Sequence, residues 1–388
     1  MSSRGGPAPT ILALDTEGPK FDKKEVWRGN AYGDSRSLVA YSCADHEEAW
    51  AVQWGEYSVD ELDTEISCAD LVVGFNFKHD ITWLRKCGVD LSKIKKLWDV
   101  QLAEFVLSRQ TKKFPSLDET CEKYGIPKKY DVVKEEYWNK GIDTCDVPWN
   151  ILSEYAAHDA DVTLQCYHAQ LPLLTPAQKI LVSLMSQDLL ILQEMEWNGI
   201  TFDEELCYEE SILIDNQISE IQNKLASIYP DIPINFGSPD QLSSFLYGGT
   251  IIEATKVHDG FFKTGKKAGE PKYRNVDVVH QLPRLYTPLK GTEMDKEGKW
   301  STAEPTLKKL KGKKHILDML LSLAKLDKLN GTYYKGLPLL RQSMQWSKGK
   351  LHGQLNQTLA GTGRLSSSKP NQQNFASELQ HIFISEFD

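Results

Sequence analysis

An α/β domain over residues 11–172, followed by a mostly α-helical region, is the architecture the sequence predicts. Three observations lead there. Short apolar runs bounded by turn residues alternate with helically spaced ones as far as Pro172 and Pro176. Beyond these prolines the pattern changes to long helical periodicities. Between two of them lies a stretch rich in Gly, Lys and Pro, roughly residues 260–300, which reads as an inserted loop or hairpin on the surface.

Taken in order, residues 1–10 contain no apolar run and read as a flexible N-terminus without a signal peptide. Ile11–Asp15 and Leu71–Phe75 are short apolar runs expected to form buried strands. The second leads into HDITWLRKCG, where Ile81, Trp83 and Leu84 keep helical spacing and Gly88 is the stop. A helix over Val100–Ser108 is capped by Asp99, and one over Ser116–Ile126 opens with a Ser116/Glu119 capping box. Further helices are expected at about Ala177–Asn198, Glu204–Tyr229 and His315–Asn330. The most apolar of them is interrupted by Ser183, Ser186, Gln187 and Asp188, so no membrane partner is expected. The last segment, 351–388, ends without a closing helix.

The 388 residues, 40% hydrophobic and 26% charged, exclude wholesale disorder and rod-like folds and suggest two or three domains. The net charge of −9 is unevenly spread: residues 305–350 carry 10 Lys and one Arg against two Asp, leaving −18 on the rest. That segment is either a solvated lysine face or a grip on a polyanion. Seven scattered cysteines without a CxxC pair argue against a disulfide framework or a structural zinc site. They fit reduced thiols and a cytoplasmic location.

Asp15 and Glu17 stand two apart at a strand end, so both side chains leave one face. Converging acids repel, and a hard divalent cation relieves the repulsion. Asp80, in GFNFKHD, follows the second strand and is a third acid, a helix cap, or both. In YAAHDADVTL, Tyr155 and Asp159 stand at i and i+4 and share a helix face. Tyr155 either packs the helix or orients a water for attack on phosphorus, while His158 and Asp161 flank the pair.

DxE on a strand, NxxxD after a second strand and YxxxD on a later helix together resemble the three motifs of the DEDD 3′–5′ exonucleases, in the tyrosine form. The resemblance implies a ribonuclease H-like domain with a mixed central sheet. It further implies that Asp15, Glu17, Asp80 and Asp159 hold two Mg2+ or Mn2+ ions, that Tyr155 positions the attacking water, and that Thr16 and Asn76 lie near the terminal nucleotide. His79, where that family usually has Phe or Tyr, is a departure that bears on packing.

QTLAGTGRLSSSKPNQQNF, residues 357–375, is similar to the TGRLSSS-x-PNLQN segment that opens the palm of family A DNA polymerases, with Gln372 for Leu and Phe375 for Ile. LQEMEWNGITFD, INFGSPDQLSSFL, STAEPTLKKL and LAKLDKLNGTYYKGL look like parts of the family's thumb, in order. Arg364 and Asn374 are then expected to contact the primer side or minor groove. The resemblance divides the chain into an exonuclease domain (11–172), a thumb-like helical region (176–350) with the loop at 260–300, and a truncated palm segment (351–388). The family's polymerising carboxylates come after the matched stretch, and Asp388 is not in their motif context. What is expected is therefore a metal-dependent 3′–5′ exonuclease with a proofreading role that grips DNA and does not synthesise it alone, of phage-like type and working in the bacterial host cytoplasm. Its expected partners are a single-stranded DNA 3′ end, a primer–template duplex, a separate C-terminal polymerase polypeptide and a processivity factor on the inserted loop. Two alternatives are a non-catalytic DNA-binding subunit and a free-standing RNA-trimming exonuclease.

Overall fold

The structure, a computed structural model, describes residues 10–20, 22, 24–127 and 132–385. The expected flexible N-terminus, apart from Thr10, and Asp388 lie outside the described residues. Two compact units are formed, one from residues up to 204 together with 337–388, the other from 205–336.

In the first unit, β1 (Ile11–Glu17), β2 (Ala40–Ala44) and β3 (Ala49–Gln53) form an antiparallel meander. α1 (Ser58–Cys68) leads to β4 (Leu71–Gly74), which pairs parallel with β1; α2 (Lys78–Lys86) then leads to β5 (Leu97–Asp99), parallel with β4. The result is a mixed sheet in the order β3-β2-β1-β4-β5. Helices α3 (Val100–Leu107) and α4 (Leu117–Tyr124) begin as the sequence dictates. The Asp99 side chain accepts from Leu102 N, and Ser116 and Glu119 complete their capping box. α5 (Trp149–Gln170) lies over β1, β2 and β3. α6 (Pro176–Asn198) packs on β5, α2 and α3, and so belongs with this unit although its sequence texture matches the helices after it. β6 (Ile200–Phe202) follows.

The second unit holds α7 (Glu204–Ala226), α8 (Pro239–Tyr247), the strands β7 (Gly249–Phe261) and β8 (Pro271–Leu282), the short α9 (Glu304–Leu307) and α10 (Lys314–Lys328). Its core gathers Phe236, Phe245, Tyr247, Tyr286, Leu317 and Leu320. The excursion expected at 260–300 is a long antiparallel ribbon that starts earlier, pairing Gly249 with Leu282 at its base. Thr250, Ile252 and Val279 stay exposed, because a two-stranded ribbon has no second layer to bury a face.

The chain then returns to the first unit. α11 (Gly336–Ser343) precedes β9 (Lys350–Leu351), β10 (Gln354–Asn356), β11 (Ser366–Ser368) and β12 (Phe383–Ile384). β6 is the middle strand of a small sheet between β12 and β9, and β10 pairs with β11. The seven cysteines are free thiols, and no described helix is long and apolar enough to cross a membrane.

The link from β4 to α2 is tight. A Cβ built on Gly74 would lie 2.2 Å from the ring of Phe77, which is fully buried and cannot swing away. Gly74→Ala is therefore expected to cost about 1–3 kcal/mol through overpacking. Thermal melting followed by circular dichroism checks this; an unchanged midpoint would show that the turn yields.

Candidate active site

Side chains of β1 alternate between two layers, and the alternation sorts the acids. Ala13 packs with Ala160 and Val162 of α5, whereas Leu12 and Leu14 pack with Ile81 and Leu84 of α2. Asp15 and Glu17 share the parity of Ala13 and leave toward α5; Thr16 shares that of Leu14 and leaves toward α2. From α5 comes Asp159. One carboxylate oxygen from each of Asp15, Glu17 and Asp159 lies within 4.8 Å of the other two. From α2 comes Asp80, almost fully buried, whose Oδ1 accepts from the Thr16 hydroxyl at 2.6 Å and from Thr16 N at 3.1 Å. Asp80 thus stands outside the converging trio, gripped by the residue between two of its members, yet close enough for its charge to act on Asp15.

The electrostatics follow from this crowding. Asp15 titrates well above the usual carboxylate range because its carboxyl is enclosed, and the charges of Asp80, Glu17 and Asp159 add to the effect. Burial pushes Asp80 up to about 7, against the two Thr16 hydrogen bonds that favour its anion. Oxygen-only donors at this density suit a hard divalent cation, which would offset the repulsion.

Two further residues support the site that motif reading did not assign to it. Asp99, 1% exposed, caps α3, but its carboxylate also accepts from Phe77 N at 2.7 Å. It thereby fixes the turn in which Asn76 is exposed with a left-handed φ of 51° and after which Asp80 is presented. Burial raises Asp99 to about 6, opposed by these N–H bonds. Trp138 meets the ring of Tyr155 edge-on, with centroids 5.7 Å apart. Its indole N–H donates to Thr144 Oγ1 at 3.2 Å, and its carbonyl accepts from the Lys20 ammonium. The cap at Asp99 was readable, but its second bond spans 22 residues, and no local pattern signals it.

Tyr155 is half-buried on α5, one turn before Asp159. Arg364 and Asn374 are exposed in the segments flanking β11, a strand that belongs to a different sheet from β1.

This fold, a mixed sheet with an acid cluster at the end of its central strand, can be set beside known families. Residues 10–174 match the 3′–5′ exonuclease family and residues 270–385 match DNA polymerase family A. The chain thus resembles the family A DNA polymerases, with a region that matches the exonuclease family followed by one that matches the polymerase family. It is 24% identical to a DNA polymerase of Bacillus phage SP01 over 78% of this chain and 34% of that protein. Against a DNA polymerase I of Synechocystis the identity is 26%, covering 97% of this chain and 35% of the relative. The thermostable DNA polymerase I of Thermus filiformis is 42% identical, over 28% of this chain and 13% of its own length. The chain thus spans about a third of the length of the first two relatives. In fold it is similar to the POL domain of Pol1 from M. smegmatis, solved in complex with DNA primer-template and dNTP. The TM-score is 0.62 and the identity 18%, over 95% of this chain and 52% of that one.

The acid crowding carries a pH signature. A carboxyl whose value rises from 3.8 to about 7 on folding leaves the protein most stable below the lower value, and that stability is lost as pH rises through the upper one. In EDTA, the melting temperature is expected to fall between about pH 4 and about pH 7 and to level off above that. Asp80→Asn should flatten that fall, and Mg2+ should reverse it. Differential scanning fluorimetry reads all three; a flat profile in EDTA would contradict the crowding.

Proposed function

We propose that this chain is a divalent-metal-dependent 3′–5′ exodeoxyribonuclease, the proofreading and duplex-gripping portion of a family A DNA polymerase. The reading assigns these residues degradation and grip, not synthesis by themselves. The observation that carries it is the convergence of Asp15, Glu17 and Asp159 within 4.8 Å, with Asp80 acting on Asp15.

In this reading Asp15, Glu17, Asp80 and Asp159 hold two Mg2+ or Mn2+ ions. When bound, such ions neutralise the acids and supply Lewis acidity for attack of water on the terminal phosphodiester. Tyr155, held by Trp138, orients the attacking water through its hydroxyl. Thr16 holds Asp80 and, with Asn76, borders the place of the terminal nucleotide. Arg364 and Asn374 touch the primer-side duplex, where contacts to phosphates position without reading sequence. The lysine-rich segment 305–350 adds a sequence-independent attraction for phosphates. The primer-template in the M. smegmatis structure supports duplex DNA as the ligand of this region.

The test is release of 5′-mononucleotides from 3′-labelled single-stranded DNA with and without Mg2+, with labelled RNA in a parallel arm. Asp15→Ala is expected to abolish release. Tyr155→Phe is expected to lower the rate about 100-fold with DNA affinity unchanged. Binding without release in the parent chain would instead mark a scaffold subunit, and preference for RNA a trimming nuclease.

A further inference from the structure

Lys78 opens α2 two residues before Asp80, and its ammonium meets the Glu196 carboxylate of α6 at 2.5 Å. Glu196 is 6% exposed. Both partners converge on one residue of a distant strand: Lys78 donates to the carbonyl of Leu355, and Glu196 Oε1 accepts from Leu355 N. Leu355 is the middle of β10, directly opposite Ser367, the middle residue of β11. Two more bonds tie this segment to α6, from Gln357 Nε2 to Met185 O at 2.9 Å and between His352 Nδ1 and Glu196 O at 2.9 Å. α2 is itself tied to α6 a second time, by Arg85 Nε to Gln193 Oε1 at 2.8 Å.

A buried ion pair is a costly way to hold elements together, since apolar residues of the same volume often serve stability as well. Its particular capability is geometric. With both charges on the N–H and C=O of one residue, β10 is held at a single register against the first turn of α2. We propose that Lys78 and Glu196 are positioning residues that couple the β10–β11 hairpin to α2. Through them, duplex seated on the hairpin is registered against Asp80 and its frayed 3′ end is aimed at the acids. The inference rests on the proposed nuclease reading and deepens it, by making duplex context, not only a free 3′ end, a determinant of cleavage.

Lys78→Met and the near-isosteric Glu196→Gln are compared with the parent chain on two 3′-labelled substrates, single-stranded DNA and a primer–template with a mismatched primer end. Cleavage of single-stranded DNA is expected to stay within about twofold. On the primer–template, kcat/KM is expected to fall about tenfold, mainly through KM, as a displaced substrate would. Equal loss on both substrates, or no loss on either, overturns the coupling. Hydrogen exchange without metal gives a readout independent of turnover. Blunt duplex is expected to protect residues 354–368 and 78–86 together in the parent chain, and only 354–368 in the variants. Unchanged joint protection in the variants also overturns it. If the parent releases nothing from either substrate, the nuclease reading falls, and the exchange pattern alone decides the coupling.

Discussion

Repulsion among carboxylates is what the rest of this structure is arranged around. At the C-terminal end of β1 the pleat directs Asp15 and Glu17 toward α5, where Asp159 waits, while Asp80 approaches from α2 on the other layer. In an ordinary surface such acids would spread apart into water. Here β1, paired with β4 up to Ala13 and with β2 through Asp15 and Glu17, denies them that freedom. The cost appears as titration far above the normal carboxylate range, and a bound cation is what would convert that cost into affinity.

Holding the acids in place falls to residues that are not acids of the site. Thr16 anchors Asp80, Asp99 anchors the turn that presents it, and Trp138 supports the ring of Tyr155. Each acts through one or two short bonds or a single ring contact, as a preorganised site requires. α6 lies behind this arrangement. It buries Ser186 against Asp99 N, Gln193 beside α2 and Glu196 against β10, so one helix joins the sheet, the acid-bearing helix and the later hairpin. This explains why α6 groups with the α/β unit and not with the helices that follow it in sequence.

Local signals proved legible where the responsible interaction spans a few residues. The capping box at Ser116, the cap at Asp99, the strand at Ile11 and the stop at Gly88 all involve neighbours within about one helical turn or strand length. The ribbon from Gly249 to Leu282 was legible only as an excursion. Its composition suggested a loop or a hairpin at 260–300, and the pairing that decides between them comes from backbone groups that leave little trace in residue type. Among the site residues, Asp15 with Glu17, and Tyr155 with Asp159, could be paired from spacing alone, because strand and helix periodicities fix which side chains share a face.

The sequence by itself therefore determined the kind of chemistry on offer: four acids and a tyrosine in three short motifs, and a hydroxyl-rich string around Arg364. Tertiary structure alone decided that three of the acids converge while the fourth is gripped by Thr16, and that Leu355 is held between Lys78 and Glu196. The physical reason is chain separation. Apart from Asp15 and Glu17, neighbours on β1, these contacts join residues from 64 to 277 positions apart, so they arise from sheet order and helix packing, not from any periodicity a short window can contain.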